Sequence, residues 1–314
     1  MRIVFCGTPA IAVPTLRWLL ADSRFTVTGV ITQPDRPRGR GLETGESAVK
    51  LAARQAGLDL IQPARIREPE AQQWIEQRSP DAVVLIAYGQ IIPAPLLAIP
   101  RFGWINLHAS LLPRYRGAAP IAWAIADGET RTGVSIMQID AGMDTGPVLL
   151  HREMEIGPDE TAPELAARMA EAGAPLVVES LEGLEKGSLT PRPQDSAAAT
   201  YARILKKEDG RIAWESTAQE IYNRMRGFAP WPGAFTGFRD ARIALWGRPW
   251  KTGDTQVPAA PGSIIQAGGQ VIVACGQGTW LQVTEAQPEG RRRMTAREFA
   301  SGARISATGS ERFG

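Results

Sequence analysis

An amide and an imidazole stand two residues apart in Asn106-Leu107-His108, just ahead of the turn-forming Ser110-Leu111-Leu112-Pro113. His108 is one of only two histidines in a chain of 314 residues, the other being His151. Further on, Asp140-Ala141-Gly142-Met143-Asp144-Thr145-Gly146 offers a carboxylate in a glycine-rich loop. Asn106, His108 and Asp144 together suit the passage of an acyl group to an amine. In that reaction the carbonyl oxygen gains negative charge and the amine loses a proton. Asn106 can donate a hydrogen bond to the oxygen, a role worth roughly 3 to 4 kcal/mol where such a donor has been removed. His108 can stabilise the same oxygen and pass protons, and an Asp144 carboxylate nearby would favour its charged form. No nucleophilic side chain is required, because the amine itself attacks.

Each of these residues also has a structural reading. An isolated Asn-x-His on a strand often serves packing, and an Asp in a Gly-rich loop is a common turn residue. The two histidines have no second soft ligand near them in sequence, and Cys6 and Cys275 lack metal-type spacing, so no metal site is expected. Gly7-Thr8-Pro9 falls short of the full dinucleotide-binding glycine pattern. Cys6 reads as a small core residue.

The elements that must position these residues follow from apolar patterning. Short apolar runs at residues 2–7, 27–32, 81–87 and 103–108 alternate with helical spacing at 11–20, 49–56 and 68–77. Strands alternating with helices predict an α/β, Rossmann-like parallel sheet, and near-continuous apolar strands fit burial on both faces. Asn106 and His108 then lie at the carboxyl end of a strand, where open parallel sheets bind ligands. Residues 132–138 alternate as a further strand leading into the Asp144 loop, and 162–184 form a long amphipathic helix.

Residues 187–196 break the pattern with Gly, Pro and polar residues, a composition that predicts a linker. Beyond it come a short helix at 218–226 and closely spaced strand-like runs at 243–246, 262–265, 270–274 and 279–283, which suggest a small β-barrel. The organisation expected is residues 1–187 as a catalytic domain, 188–205 as linker and 206–314 as the barrel domain.

Composition narrows the function classes. With 44% hydrophobic residues the chain can bury a proper core. It contains no apolar stretch near the roughly 20 residues that span a bilayer. A cytoplasmic protein acting as a monomer is expected. The net charge of +2 hides an asymmetry: from residue 201 onward 16 Lys and Arg face 10 Asp and Glu, while residues 1–200 hold 19 against 23. A basic second half fits the holding of a polyanion, and equally a solvated surface with a modest positive excess.

Several motifs carry a resemblance over almost the whole chain. Gly7-Thr8-Pro9, Gln33-Pro34-Asp35-Arg36-Pro37, the run from Asn106 to Pro120 and Asp140-x-Gly142-Met143-Asp144-Thr145-Gly146 resemble the methionyl-tRNA formyltransferase family. So do Tyr201-Ala202, Lys206-Lys207-Glu208 and Ala229-Pro230-Trp231-Pro232-Gly233-Ala234. The resemblance implies a Rossmann-type catalytic domain and an OB-like barrel that helps hold transfer RNA. It implies 10-formyltetrahydrofolate as formyl donor, with no metal, and initiator methionyl-tRNA as the acceptor partner. Asn106, His108 and Asp144 match the family's catalytic trio. Ser110, Leu111, Leu112 and Pro113 match its folate-contacting segment, and Ala87, Tyr88 and Gly89 would lie beside the pterin.

For tRNA the candidates are Arg36, Arg38, Arg40, Lys206, Lys207, Arg211, Arg291, Arg292 and Arg293, with Arg224 and Arg226 beside them. The chain departs from the family at Ala10 and Ile11, where an acidic residue and Phe are usual. Glu43 and Glu46 interrupt the basic loop after Asp35, and carboxylates near phosphates would weaken an electrostatic clamp. Two other readings are a formyltransferase for a small amine and a tRNA-binding protein without catalysis. An acceptor competition assay separates them.

Overall fold

The computed structural model describes residues 1–38, 43–250, 259–267, 269–305 and 311–314. The chain forms two compact units. The first comprises Met1–Pro120, Arg131–Glu155 and Glu164–Arg203, and the second Ile121–Thr130, Ile156–Pro163 and Ile204–Gly314.

The first unit opens on the apolar strand Arg2–Gly7 (β1), the helix Val13–Ala21 (α1) and the strand Thr26–Ile31 (β2). A short antiparallel pair, Arg36–Arg38 (β3) with Glu43–Gly45 (β4), precedes the helix Ala48–Gln55 (α2). The Ser47 hydroxyl starts that helix by accepting the Lys50 N–H at 3.0 Å. Leu60–Ile61 (β5), Pro69–Arg78 (α3) and Ala82–Ile86 (β6) follow, then Ala94–Leu97 (α4) and Trp104–His108 (β7). After these come Arg116–Gly117 (β8), Pro120–Ala126 (α5), Arg131–Gln138 (β9), Val148–Glu155 (β10), Ala162–Glu185 (α6) and Tyr201–Ala202 (β11).

The main sheet runs β10-β9-β7-β6-β1-β2-β5. Its β5, β2, β1, β6 and β7 are parallel, as the alternating pattern predicts. The remaining two, β9 and β10, run as an antiparallel extension on β7. β1 pairs with β2 on one side and β6 on the other, so strand order reverses there and opens a crevice at the carboxyl ends. All five residues of β6 and of β7 are buried. The expected alternation of residues 132–138 is absent, because all of them but Gln138 are buried. β10 escaped sequence reading because an edge strand that buries only Leu149 fully needs no apolar run. Helix α6 presses on the sheet at Gly173, where a Cβ would come within 2.4 Å of Leu107 Cδ1. Only glycine permits that approach.

In the second unit, the helix Ala218–Gly227 (α7) begins at a capping box in which Thr217 and Glu220 satisfy each other's backbone N–H. Phe235–Phe238 (β12), Ala241–Pro249 (β13), Ile264–Ala267 (β14), Gln270–Ala274 (β15), Trp280–Pro288 (β16) and Met294–Thr295 (β17) form an antiparallel sheet, with Ala296–Gly302 (α8) after them. The order is β12-β13-β16-β15-β14, with β17 on β16. Residues 311–314 bond both edges of this sheet. Gly314 exchanges backbone bonds with Gly237 of β12, while Ile264 of β14 donates to Glu311 and Phe313 donates to Gly262. The sheet thus closes on itself as the small barrel expected. Phe313 is 1% exposed, stacked on Trp214 at 5.6 Å within an apolar core that includes Leu281, Val283 and Phe299.

Candidate active site

Asn106 and His108 lie two apart on β7 and therefore point to the same side of the strand. Both are buried, and Asn106 makes no side-chain hydrogen bond to the described residues, which leaves its amide for a ligand. The His108 ring is set by the backbone: Nε2 lies 2.9 Å from the Tyr115 carbonyl oxygen. A carbonyl only accepts, so Nε2 carries the proton and Nδ1 is the nitrogen that can take or release one. Nδ1 faces Asp144 Oδ2 at 3.6 Å. Asp144 has a left-handed backbone, with φ of 53°, and its Oδ2 accepts the Gly117 N–H at 2.8 Å. The arrangement can donate to a developing oxyanion, exchange a proton at one defined nitrogen and stabilise an imidazolium.

The turn after β7 is tied internally. The Ser110 hydroxyl donates to the Arg114 carbonyl at 2.6 Å, and Ser135 of β9 donates to the Ser110 carbonyl at 2.7 Å. Ser110, a folate-contact candidate, is wholly buried and builds the turn that presents Leu111, Leu112 and Pro113, which are partly exposed. Tyr115, Gly117 and Ser135 were missed as contributors to this site, since a backbone carbonyl, an N–H and a buried strand serine carry no chemical signature in sequence.

At the carboxyl end of β6, Ala87 and Gly89 both take positive φ, at 49° and 85°, and turn the chain sharply. Tyr88 between them is 1% exposed, its hydroxyl meets no partner among the described residues, and burial pushes its phenol up. Tyr88 and Gly89 join Thr8, Gln33, Pro34, Gly45 and Ser47 around a cleft of about 270 Å³ at the β1/β6 crevice. Such a cleft offers room for a flat heterocycle at the sheet's switch point. Among the described residues, no group of three or more His, Cys, Asp or Glu is placed to hold a metal ion.

The basic candidates divide. Arg40 and the side chains of Arg36 and Arg38 lie outside the described residues. Behind them, Glu46 accepts from Lys50 at 3.1 Å and Arg54 at 2.7 Å, and Lys50 also binds Asp35. These bonds hold the Asp35 and Glu46 carboxyls below their usual range and raise the Lys50 ammonium. The Glu46 charge is therefore offset locally. Lys206, Lys207, Arg211, Arg291, Arg292 and Arg293 are exposed. Arg293 is already paired with Glu285 and sits over the Trp246 ring. Arg226 does not belong with them. It is 6% exposed and donates to the Gly157 and Glu160 carbonyls and to Asn223, so it serves packing in the second unit. A helix-end arginine and a phosphate ligand look alike in sequence, and only burial separates them.

Comparison with known proteins covers both units. A family model described as formyl transferase matches residues 1–181, and one described as formyl transferase, C-terminal domain, matches 204–304. Methionyl-tRNA formyltransferase of Acidobacterium capsulatum is 50% identical over 303 residues, covering 96% of each chain. The enzyme of the same name from Solibacter usitatus is 50% identical over 307 residues, covering 98% of this chain and 97% of that one. Among solved structures, the sugar 3N-formyl transferase WlaRD, determined with dTDP and 5-N-formyl-THF, superposes with a TM-score of 0.64 at 17% identity. It covers 93% of this chain and 99% of that one, a likeness of fold.

Proposed function

The chain belongs to the formyl transferase family, and we propose that it transfers the formyl group of 10-formyltetrahydrofolate to the α-amine of initiator methionyl-tRNA. The observation that carries this reading is the juxtaposition of His108 Nδ1 and Asp144 Oδ2, with Asn106 on the same side of β7 as His108. The folate supplies the formyl group on its N10. The Asn106 amide donates to the formyl oxygen as charge develops there, and His108 Nδ1 takes the proton that the attacking amine sheds. The imidazolium so formed is favoured by the Asp144 carboxylate and returns its proton to the departing nitrogen. The donor is held by Ala87, Tyr88 and Gly89 on one side and by the Ser110–Pro113 turn on the other.

Residues 1–187 carry the transfer in this reading, and the exposed Lys206, Lys207, Arg211, Arg291 and Arg292 of the barrel engage tRNA phosphates. His108 and Asp144 meet within one chain, so the proposed transfer needs no second copy, and a monomer in the cytoplasm is the form this reading predicts.

The test is formyl transfer from 10-formyltetrahydrofolate to charged initiator tRNA with a small primary amine as competing acceptor. Product on the tRNA supports the reading. Product on the amine alone makes this a small-amine formyltransferase, and tRNA binding with no product on either leaves a binding protein.

A further inference from the structure

Residues 192–202 hold both halves of the candidate active site from one side. Arg192 exchanges backbone bonds of 2.8 Å with Val148, just beyond the Asp144 loop. Two residues on, Gln194 Nε2 donates to the Asp144 carbonyl at 2.8 Å and the Gly146 carbonyl at 2.7 Å. The oxygen of the same amide accepts from Arg116 Nε at 3.1 Å and Nη2 at 2.8 Å, and Arg116 is 2% exposed. At the other end, Thr200 Oγ1 accepts the Tyr115 N–H at 2.8 Å, and Tyr115 is the residue whose carbonyl orients His108. Tyr201–Ala202 then pairs with Arg116–Gly117, whose Gly117 N–H holds the Asp144 carboxylate.

Asp144 needs such ties. A non-glycine residue at φ of 53° sits in a sparsely populated region and persists only when its surroundings over-determine it. Gln194 supplies two bonds to the loop carbonyls, and the buried Arg116 guanidinium fixes which way its amide points, since an arginine can only donate. We propose that Gln194 is a positioning residue for the transfer reaction: through its amide N–H groups it sets the Asp144 carboxylate against His108. Its effect therefore falls on turnover and not on donor binding. This inference rests on the role given to Asp144 in the proposed reaction.

The experiment compares kcat, the folate KM and the thermal midpoint for three variants of the full chain. Gln194→Glu keeps an acceptor for Arg116 but has no N–H for the Asp144 and Gly146 carbonyls. The double variant Arg116→Met/Gln194→Met removes the buried charge together with its acceptor and adds no charge near Asp144. Both are expected to fold, to lose about tenfold or more in kcat and to keep the folate KM within about threefold. A kcat within about twofold of wild type in the double variant overturns the proposal. Should the double variant not fold, the same kcat in Gln194→Glu overturns it, since an acceptor for Arg116 alone would then suffice. Asp144→Asn is the third variant. Undiminished kcat there sinks the role of Asp144 itself, whereas a large loss there with unaffected Gln194 variants sinks only the positioning role.

Discussion

His108 and Asp144 face each other without a hydrogen bond. Nδ1 and Oδ2 are 3.6 Å apart, while the Nε2 proton is committed to the Tyr115 carbonyl at 2.9 Å. Orientation and charge are therefore supplied by different residues: Tyr115 aims the ring, and Asp144 acts across space on the nitrogen that exchanges protons. His108→Ala and Asp144→Asn are each expected to lower kcat by at least about a hundredfold with donor binding retained. Single-turnover formyl transfer beside equilibrium folate binding checks this. Near-wild-type turnover in either variant would reduce that residue to a packing role.

Asn106→Ala removes the donor from the site where oxygen charge develops. A loss of about 100- to 1000-fold in kcat is expected, with the KM for tRNA little changed. A KM effect without a kcat effect would place the amide in binding instead.

The split among the arginines is measurable in salt. Removing the charge of Lys206 and Lys207 should flatten the dependence of tRNA affinity on salt by about one counterion per contact. Arg226→Met should leave that slope unchanged and lower stability by roughly 1 to 3 kcal/mol, because the Gly157 and Glu160 carbonyls lose their donor. An altered salt slope in Arg226→Met would return that residue to the tRNA surface.

The ion cluster of Asp35, Glu46 and Lys50 gives a pH signature. Both carboxyls are held below their ordinary range, first by the bonds from Lys50. Their folded values lie below the unfolded ones, so their contribution is full above about pH 4 and is lost as pH falls through the folded values. Lys50→Met should make the thermal midpoint less sensitive to pH on the acid side. Parallel acid profiles for the two proteins would show that the cluster contributes nothing to stability.

Phe313 plugs the core of the barrel whose edges its own segment joins. Phe313→Ala should cost roughly 3 to 5 kcal/mol, read by denaturant unfolding of the full chain. A loss below about 1 kcal/mol would mean that the barrel core does not depend on that closure.

Much of this protein was legible in its residue order. The parallel strands β1 and β6 announce themselves as short apolar runs, because a strand covered on both faces takes mainly apolar residues, and in the equally buried β7 the polar Asn106 and His108 stand out against that background. Asn106 and His108 could be named because the chain holds only two asparagines and two histidines, whereas Asp144, one of twelve aspartates, was marked out by its glycine-rich loop and by the family resemblance. The bonds between these residues were not legible, since the Tyr115 carbonyl and the Gly117 N–H are groups that every residue carries. Residues 188–205 show the limit most clearly. Their composition reads as a linker, yet Arg192, Gln194, Thr200 and Ala202 bond to the two loops of the site. By itself, the sequence determined which side chains are available for acyl transfer and on which strand end they stand, because local periodicity and side-chain chemistry are local properties. Which nitrogen of His108 is free, how Asp144 is held and which arginines are spent on packing were decided only by tertiary structure, because hydrogen-bond partners far apart in the chain meet only once it has folded.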